Sequence, residues 1–216
     1  MSGYDFYSSE EVKPLYDEIV PAYQSAFAGW PWYEVSKCAD TLSRCVGGLS
    51  SLAIGQLCEQ CGNCPTQPAY EQDELVNRLE NLATTRPTQW YIESGDSGLT
   101  LAAIAWQAEA PVIAQEKYAD IPAMNDWLQK QIGESPIVWL DEVFANRQLK
   151  VSGNLRRFGS MCNGFLERLD SDILAFRTIN ERMVAATKRD FDGSSTVFER
   201  DTSVPDRREF IVIKAN

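Results

Sequence analysis

The chain contains no histidine. That absence excludes a histidine-based catalytic triad, a histidine metal ligand and an imidazole proton shuttle. Any general base must be Asp, Glu, Tyr, Lys, Cys or water. Long apolar runs are missing as well: Leu99 to Trp106 is interrupted by Thr100 and is far too short to span a bilayer. The start, Met1-Ser2-Gly3-Tyr4-Asp5, has neither a basic n-region nor an apolar h-region, so a cytoplasmic location is expected. Positive charge is scarce, with 20 Lys and Arg against 31 Asp and Glu for a formal net charge of −11. A chain this acidic repels nucleic acid and anionic membrane in bulk, and it suits a cationic partner such as an amine. Internal repeats and low-complexity segments are absent.

What is present is ordinary globular material. A chain of 216 residues with 44% hydrophobic side chains can bury a core unaided, and its length fits one domain, 1–216, carrying an insertion at 38–64. Residues 4–7 read as a strand. Glu10 to Phe27 carries apolar residues at helical spacing, with Ser8 or Ser9 as the cap. An aromatic loop with Phe27, Trp30, Trp32 and Tyr33 follows, where Pro31 fixes the turn. Residues 70–83 read as a second helix, ended by Arg86-Pro87. Strands are expected at 89–93, 99–106 and 137–145, with a short helix at 124–132. Helices at 155–169 and 180–191 alternate with strands at 173–179, 196–200 and 209–214. The main order is β-α-α-β-β-β-α-β-α-β-β, which implies an α/β fold with a mixed sheet and helices on both faces.

The stretch 141–158 holds a strand, a loop and the start of a helix. Within it, Lys150-Val151-Ser152-Gly153-Asn154-Leu155 offers a glycine where backbone can approach a ligand. Successive N–H groups at a helix N-terminus suit a pyrophosphate, and Arg147, Lys150, Arg156 and Arg157 gather positive charge nearby. This order and loop resemble the GCN5-related N-acetyltransferase superfamily, whose central strand ends in an Arg/Gln-x-x-Gly-x-Gly/Ala loop. Only Gly153 is a strict match; Lys150 stands for Arg or Gln, and Leu155 where Gly or Ala is usual. Ile173 to Asn180, followed by Glu181 to Phe191, is similar to the family's fifth strand and fourth helix. The resemblance spans residues 4–37 and 65–214. It implies acetyl-CoA as co-substrate, bound by Lys150, Val151, Ser152, Gly153, Asn154 and Leu155. It also implies a pantetheine arm running between Asn180 and Met183 on one side and the backbone of Val143, Phe144 and Ala145 on the other. It implies an aromatic acceptor wall at Phe27 to Tyr33. Many members carry a Tyr in the fourth helix that reprotonates the CoA thiolate, and residues 181–191 have none.

Acetyl transfer requires an uncharged amine to attack the thioester while a carboxylate takes its proton. Asp141 and Glu142 are the candidates. They point to opposite faces if the strand is regular, and a bulge changes that. Backbone N–H groups of Val143 to Ala145 can polarise the thioester carbonyl. The acceptor is a small-molecule or protein amine.

Five of the six cysteines fall within 38–64. Cys58-Glu59-Gln60-Cys61-Gly62 has the form of a metal knuckle, and Cys38 and Cys45 lie a heptad apart upstream. Four thiolates suit a structural, tetrahedral Zn²⁺, with Cys38, Cys45, Cys58 and Cys61 as ligands and Cys64 competing for a place. An iron–sulfur cluster takes the same ligands. The odd number clustered, in a cytoplasmic chain, argues against disulfides. Cys162 stands apart and reads as a buried apolar residue. The alternative function is a non-catalytic, zinc-stabilised interaction or regulatory module on the same fold.

Overall fold

A computed structural model describes residues 3–29, 32–40, 49–118, 126–128, 130, 132, 135–149, 155–197 and 209–215. Strand β1 (Gly3–Ser8) leads into α1 (Ser9–Val12), where Ser8 and Glu11 form a reciprocal capping box. The segment expected as one helix is broken: a 3-10 turn at Lys13–Leu15 separates α1 from α2 (Tyr16–Phe27). Pro14 causes this, since it has no N–H to continue the α-helical ladder. A small sheet of β2 (Ser36–Cys38) and β3 (Thr66–Pro68) follows, then α3 (Gln72–Thr85).

Strands β4 (Thr88–Gly95) and β5 (Gly98–Glu109) form a hairpin at the expected turn. Helix α4 (Ala110–Tyr118) comes next and was not expected. Pro111 in its first turn masked it, although proline is well placed there. Of the helix expected at 124–132, the described residues 126–128, 130 and 132 are helical. The rest is β6 (Pro136–Ala145), α5 (Phe158–Arg168), β7 (Ile173–Thr178), α6 (Glu181–Asp190), β8 (Ser195–Val197) and β9 (Glu209–Lys214).

Seven strands form one mixed sheet in the order β1-β4-β5-β6-β7-β9-β8. Every pairing is antiparallel except β6 with β7. Helices α5 and α6 cover one face, where Phe158, Phe165 and Met183 pack on Leu140, Leu174 and Ile211. Helices α2 and α3 cover the other, with Tyr23, Leu75 and Leu79 against Trp90, Ile104 and Phe144. Helix α4 extends that second face over Trp106, Trp139 and Phe210. Cys162 is fully buried in the first core, as expected of an apolar side chain. Among the described residues, no helix is long and apolar enough to cross a membrane.

Candidate active site

The middle of β6 carries an irregularity that decides where its carboxylates point. Ile104 faces Glu142 while Ala105 faces Leu140, so Asp141 is an extra residue bulged out of the ladder. In a regular strand Asp141 and Glu142 would point to opposite faces. The bulge puts both on the α2–α3–α4 side, and alternation resumes with Val143 on the α5–α6 side and Phe144 opposite.

The two carboxylates have different partners. Asp141 accepts from the Lys117 ammonium and from Trp139 Nε1 at 2.9 Å. Burial alone would push its carboxyl up, but the Lys117 charge and these hydrogen bonds outweigh it and hold the group below its ordinary value. It is therefore ionised and engaged. Glu142 accepts from Arg78 Nη2 at 2.7 Å and from Tyr23 Oη at 3.2 Å, both on Oε1. Burial raises its carboxyl to about 7, against the opposing pull of Arg78. A carboxylate that gains and loses a proton near neutrality is what a general base needs. Its Oε2 has no hydrogen bond among the described residues.

An aromatic wall rises beside Glu142. Tyr23 stacks on Phe27 at 4.4 Å, Phe27 lies 5.7 Å from Trp32, and Tyr70 meets Tyr23 edge-on at 5.1 Å. Burial, the nearby carboxylates and hydrogen bonding push the Tyr23 and Tyr70 phenols well above the ordinary range, so both stay protonated. Of the expected wall residues, Phe27 and Trp32 pack in this aromatic group, Tyr33 is exposed, and Trp30 lies outside the described residues. Sequence reasoning missed Tyr70, Arg78 and Glu34. Glu34 directly follows the aromatic loop, whereas Tyr70 and Arg78 lie far from it in sequence and reach the site only through the packing of α3 and the small sheet.

On the other side, β6 and β7 pair at only two positions, Val138 with Leu174 and Trp139 with Ala175. Beyond these the two parallel strands part, so Leu140 to Ala145 have no strand partner on that edge. A split between two central parallel strands leaves backbone donors and acceptors for an extended ligand.

The comparisons bear on this architecture. No family model matches the sequence, and no curated protein matches it. Solved structures do. A mosquito arylalkylamine N-acetyltransferase-like protein aligns over 99% of this chain and 100% of its own, with TM-score 0.54 at 8% identity. The histone acetyltransferase HPA2 and related acetyltransferase from Corynebacterium glutamicum aligns over 99% and 96%, with TM-score 0.53 at 12% identity. The Drosophila melanogaster polyamine N-acetyltransferase aligns over 99% and 98%, with TM-score 0.51 at 9% identity. The chain shares the fold of these solved acetyltransferases.

Against that N-acetyltransferase fold, the remaining candidates divide. Lys150, Val151, Ser152, Gly153 and Asn154 lie outside the described residues. Leu155 stands in a turn before α5, which begins at Phe158 rather than at 155. The glycine at that helix start is Gly159, whose N–H donates to Asp190 Oδ2 at 2.9 Å. Asn180 caps α6, its side chain accepting from Arg182 N at 3.0 Å. Met183 is buried, with its sulfur 3.5 Å from Thr178 Oγ1. Of the four cations expected near the loop, Lys150 lies outside the described residues. Arg157 pairs with Glu93 and lies over the Tyr4 ring, while the Arg147 guanidinium packs against Gly29, where a Cβ would come within 2.0 Å. Arg156 is exposed beside the start of α5.

Three of the four proposed metal ligands come together. The sulfurs of Cys38, Cys58 and Cys61 all lie within 4.8 Å of one another, with Cys38 and Cys61 at 3.9 Å. Cys45 lies outside the described residues. The knuckle forms: Gly62 N donates to Cys58 O at 2.8 Å, and Cys58 N to Cys64 O at 2.9 Å. Gly62 has φ of 67°, a left-handed geometry that glycine adopts without strain. The Cys64 thiol is pushed up to about 11, by burial first and then by Cys61 and its neighbours. None of Cys38, Cys58, Cys61, Cys64 and Cys162 forms a disulfide. Several thiols converging on one point is a donor set that fits a thiophilic divalent ion.

Proposed function

We propose that this chain is a cytoplasmic, acetyl-CoA-dependent N-acetyltransferase that acetylates a primary amine by direct attack. The observation that carries it is Glu142, a carboxylate tuned toward neutrality beside the opened edge of β6. Glu142 Oε2 takes a proton from the acceptor ammonium, and the freed nitrogen lone pair attacks the thioester carbonyl carbon. Backbone N–H groups of Val143 and Ala145, which alternate with the Phe144 N–H bonded toward β5, stabilise the oxyanion. The C–S bond then breaks as the nitrogen gives up its second proton to water, and the CoA thiolate takes a proton from water, since α6 has no Tyr. Arg78 and Tyr23 hold Glu142 in place, and Asp141, locked on Lys117, anchors the bulge rather than reacting.

Acetyl-CoA would lie in the split between β6 and β7. Val143 to Ala145 would stand on one side and Asn180 and Met183 on the other, with the pyrophosphate on Lys150 to Leu155 before α5. The solved neighbours named for polyamine and arylalkylamine acceptors support an amine as the acetyl acceptor here. Zn²⁺ would sit on Cys38, Cys45, Cys58 and Cys61 as a closed structural site, with Cys64 as the alternative fourth ligand.

A second reading keeps the fold without turnover, as a zinc-stabilised interaction module. The Asp190 carboxylate favours it, because it already occupies an N–H at the start of α5 that an anionic cofactor would use. Calorimetric titration of acetyl-CoA into wild type and Gly153→Glu, followed by thiol release with putrescine, phenethylamine and a Lys-containing peptide, separates the two. Saturable binding lost in the variant, with thiol release from one amine, supports the enzyme. Binding without release supports the module, and no binding to folded wild type sinks the acetyl-CoA assignment.

A further inference from the structure

The insertion enters and leaves at the acceptor wall. The segments that lead into and out of it start just after Glu34 and end at Tyr70, whose hydroxyl donates to the Glu34 carboxylate. Between these ends stands the two-stranded sheet, with Ser36, Lys37 and Cys38 paired to Pro68, Gln67 and Thr66. Ala69 N extends the ladder to Val35 O at 3.1 Å, and Ser36 and Ser50 exchange bonds of 3.0 and 2.8 Å. A two-stranded ladder this short is marginal by itself. Its far end is Cys38, whose sulfur belongs to the cluster with Cys58 and Cys61.

The near end bears on the base. Gln24 Nε2 donates to Tyr70 O at 2.8 Å, the Tyr70 ring packs edge-on against Tyr23, and Tyr23 Oη reaches Glu142 at 3.2 Å. A chain of contacts therefore runs from the sulfurs through β2–β3 to Tyr70, Tyr23 and Glu142.

We infer that the cysteine cluster is a metal-set staple for the acceptor wall: a divalent ion on Cys38, Cys58 and Cys61 holds the ends of the insertion together and fixes Glu34 and Tyr70 beside the base. Each ligating thiol gives its proton to solvent as the ion binds, and the ion bridges residues distant in sequence. Removing it leaves the short ladder to hold alone. The β6–β7 split is built from other strands, so the effect falls on the amine side. The sulfur-to-ladder coupling stands independently of acetyl transfer; only the kinetic consequence rests on that activity.

The test uses the full chain purified with Zn²⁺, its metal content measured by elemental analysis, then treated with a chelator. Hydrogen exchange at the amides of 35–38 and 66–70 should speed up by at least about tenfold on chelation and recover when Zn²⁺ is restored. Acetyl-CoA binding heat should stay the same. With the panel's most active amine, KM should rise about tenfold while kcat changes less than about threefold. Cys61→Ser should repeat the faster exchange with Zn²⁺ present; if that variant fails to fold, the chelation arm decides. Exchange that is the same with and without Zn²⁺, or protein holding no stoichiometric metal, overturns the staple. Zn²⁺-dependent exchange in a protein that binds no acetyl-CoA upholds the staple and removes the enzymatic reading.

Discussion

Glu142 faces Tyr23 from α2, Arg78 from α3, Asp141 on its own strand and Lys117 from α4, and it also feels Tyr70 across the wall. As a base it works only ionised. Transfer measured as kcat/KM should therefore rise with pH and level off above about 7, reporting the raised carboxyl. Glu142→Gln should lower kcat/KM by roughly 10²- to 10⁴-fold and abolish that rise. The same shift bears on stability. The folded carboxyl sits above its ordinary value of 4.5, so its contribution is full below that value and is lost as pH rises toward about 7. Urea unfolding of Glu142→Gln should lack that slope. Asp141 behaves in the opposite sense, its contribution lasting until pH falls below the ordinary carboxylate range. Asp141→Asn leaves Lys117 half of a buried pair and should cost roughly 3 kcal/mol in urea unfolding. It should also move the kcat/KM midpoint below about 7, because Asp141 is one of the charges that raise Glu142.

Strand β1 meets α5 at Phe6. The Phe6 ring sits edge-on to Phe165 at 5.3 Å and lies against Gly164, where a Cβ would come within 2.3 Å of the ring. Arg168, one turn beyond Gly164 on the same helix, covers the Phe6 ring at 4.0 Å. Phe6 is held by its neighbours and cannot swing away cheaply. Gly164→Ala should lower stability by roughly 1–3 kcal/mol, measured by thermal unfolding, with Glu142 pH dependence unchanged. The bulge on β6 is the other feature that matters at this scale. One added residue turns two adjacent carboxylates to a single face, and their different partners then divide them into an anchor and a base.

The charge of −11 acts over the whole surface. A field of that sign draws in a cationic amine and repels a polyanionic cofactor. Raising ionic strength from about 0.05 to about 0.3 M shortens the screening length about 2.4-fold, so kcat/KM for a cationic amine should fall while acetyl-CoA binding tightens. Stopped-flow at fixed pH reads both; a rise for the amine would show that net charge does not steer it.

Much of this was legible in the chain. Apolar runs place the central strands β5, β6 and β7, which are buried on both faces over most of their length, and period-3.6 spacing places α5 and α6, all within a few residues. The missing histidine confines the base to a short set of residue types, and the Cys58–Gly62 knuckle marks the cluster that the fold then assembles around Cys38. Tertiary structure decided the rest. Whether Asp141 and Glu142 share a face depends on a register shift against β5, which no local pattern records. Arg147 and Arg157 read as one positive patch but serve Gly29, Glu93 and Tyr4, because a long side chain goes to whatever partner folding brings within reach. Tyr70 and Arg78 become part of the site only when α3 and the small sheet pack on α2, so their role comes from contacts between segments far apart in the chain.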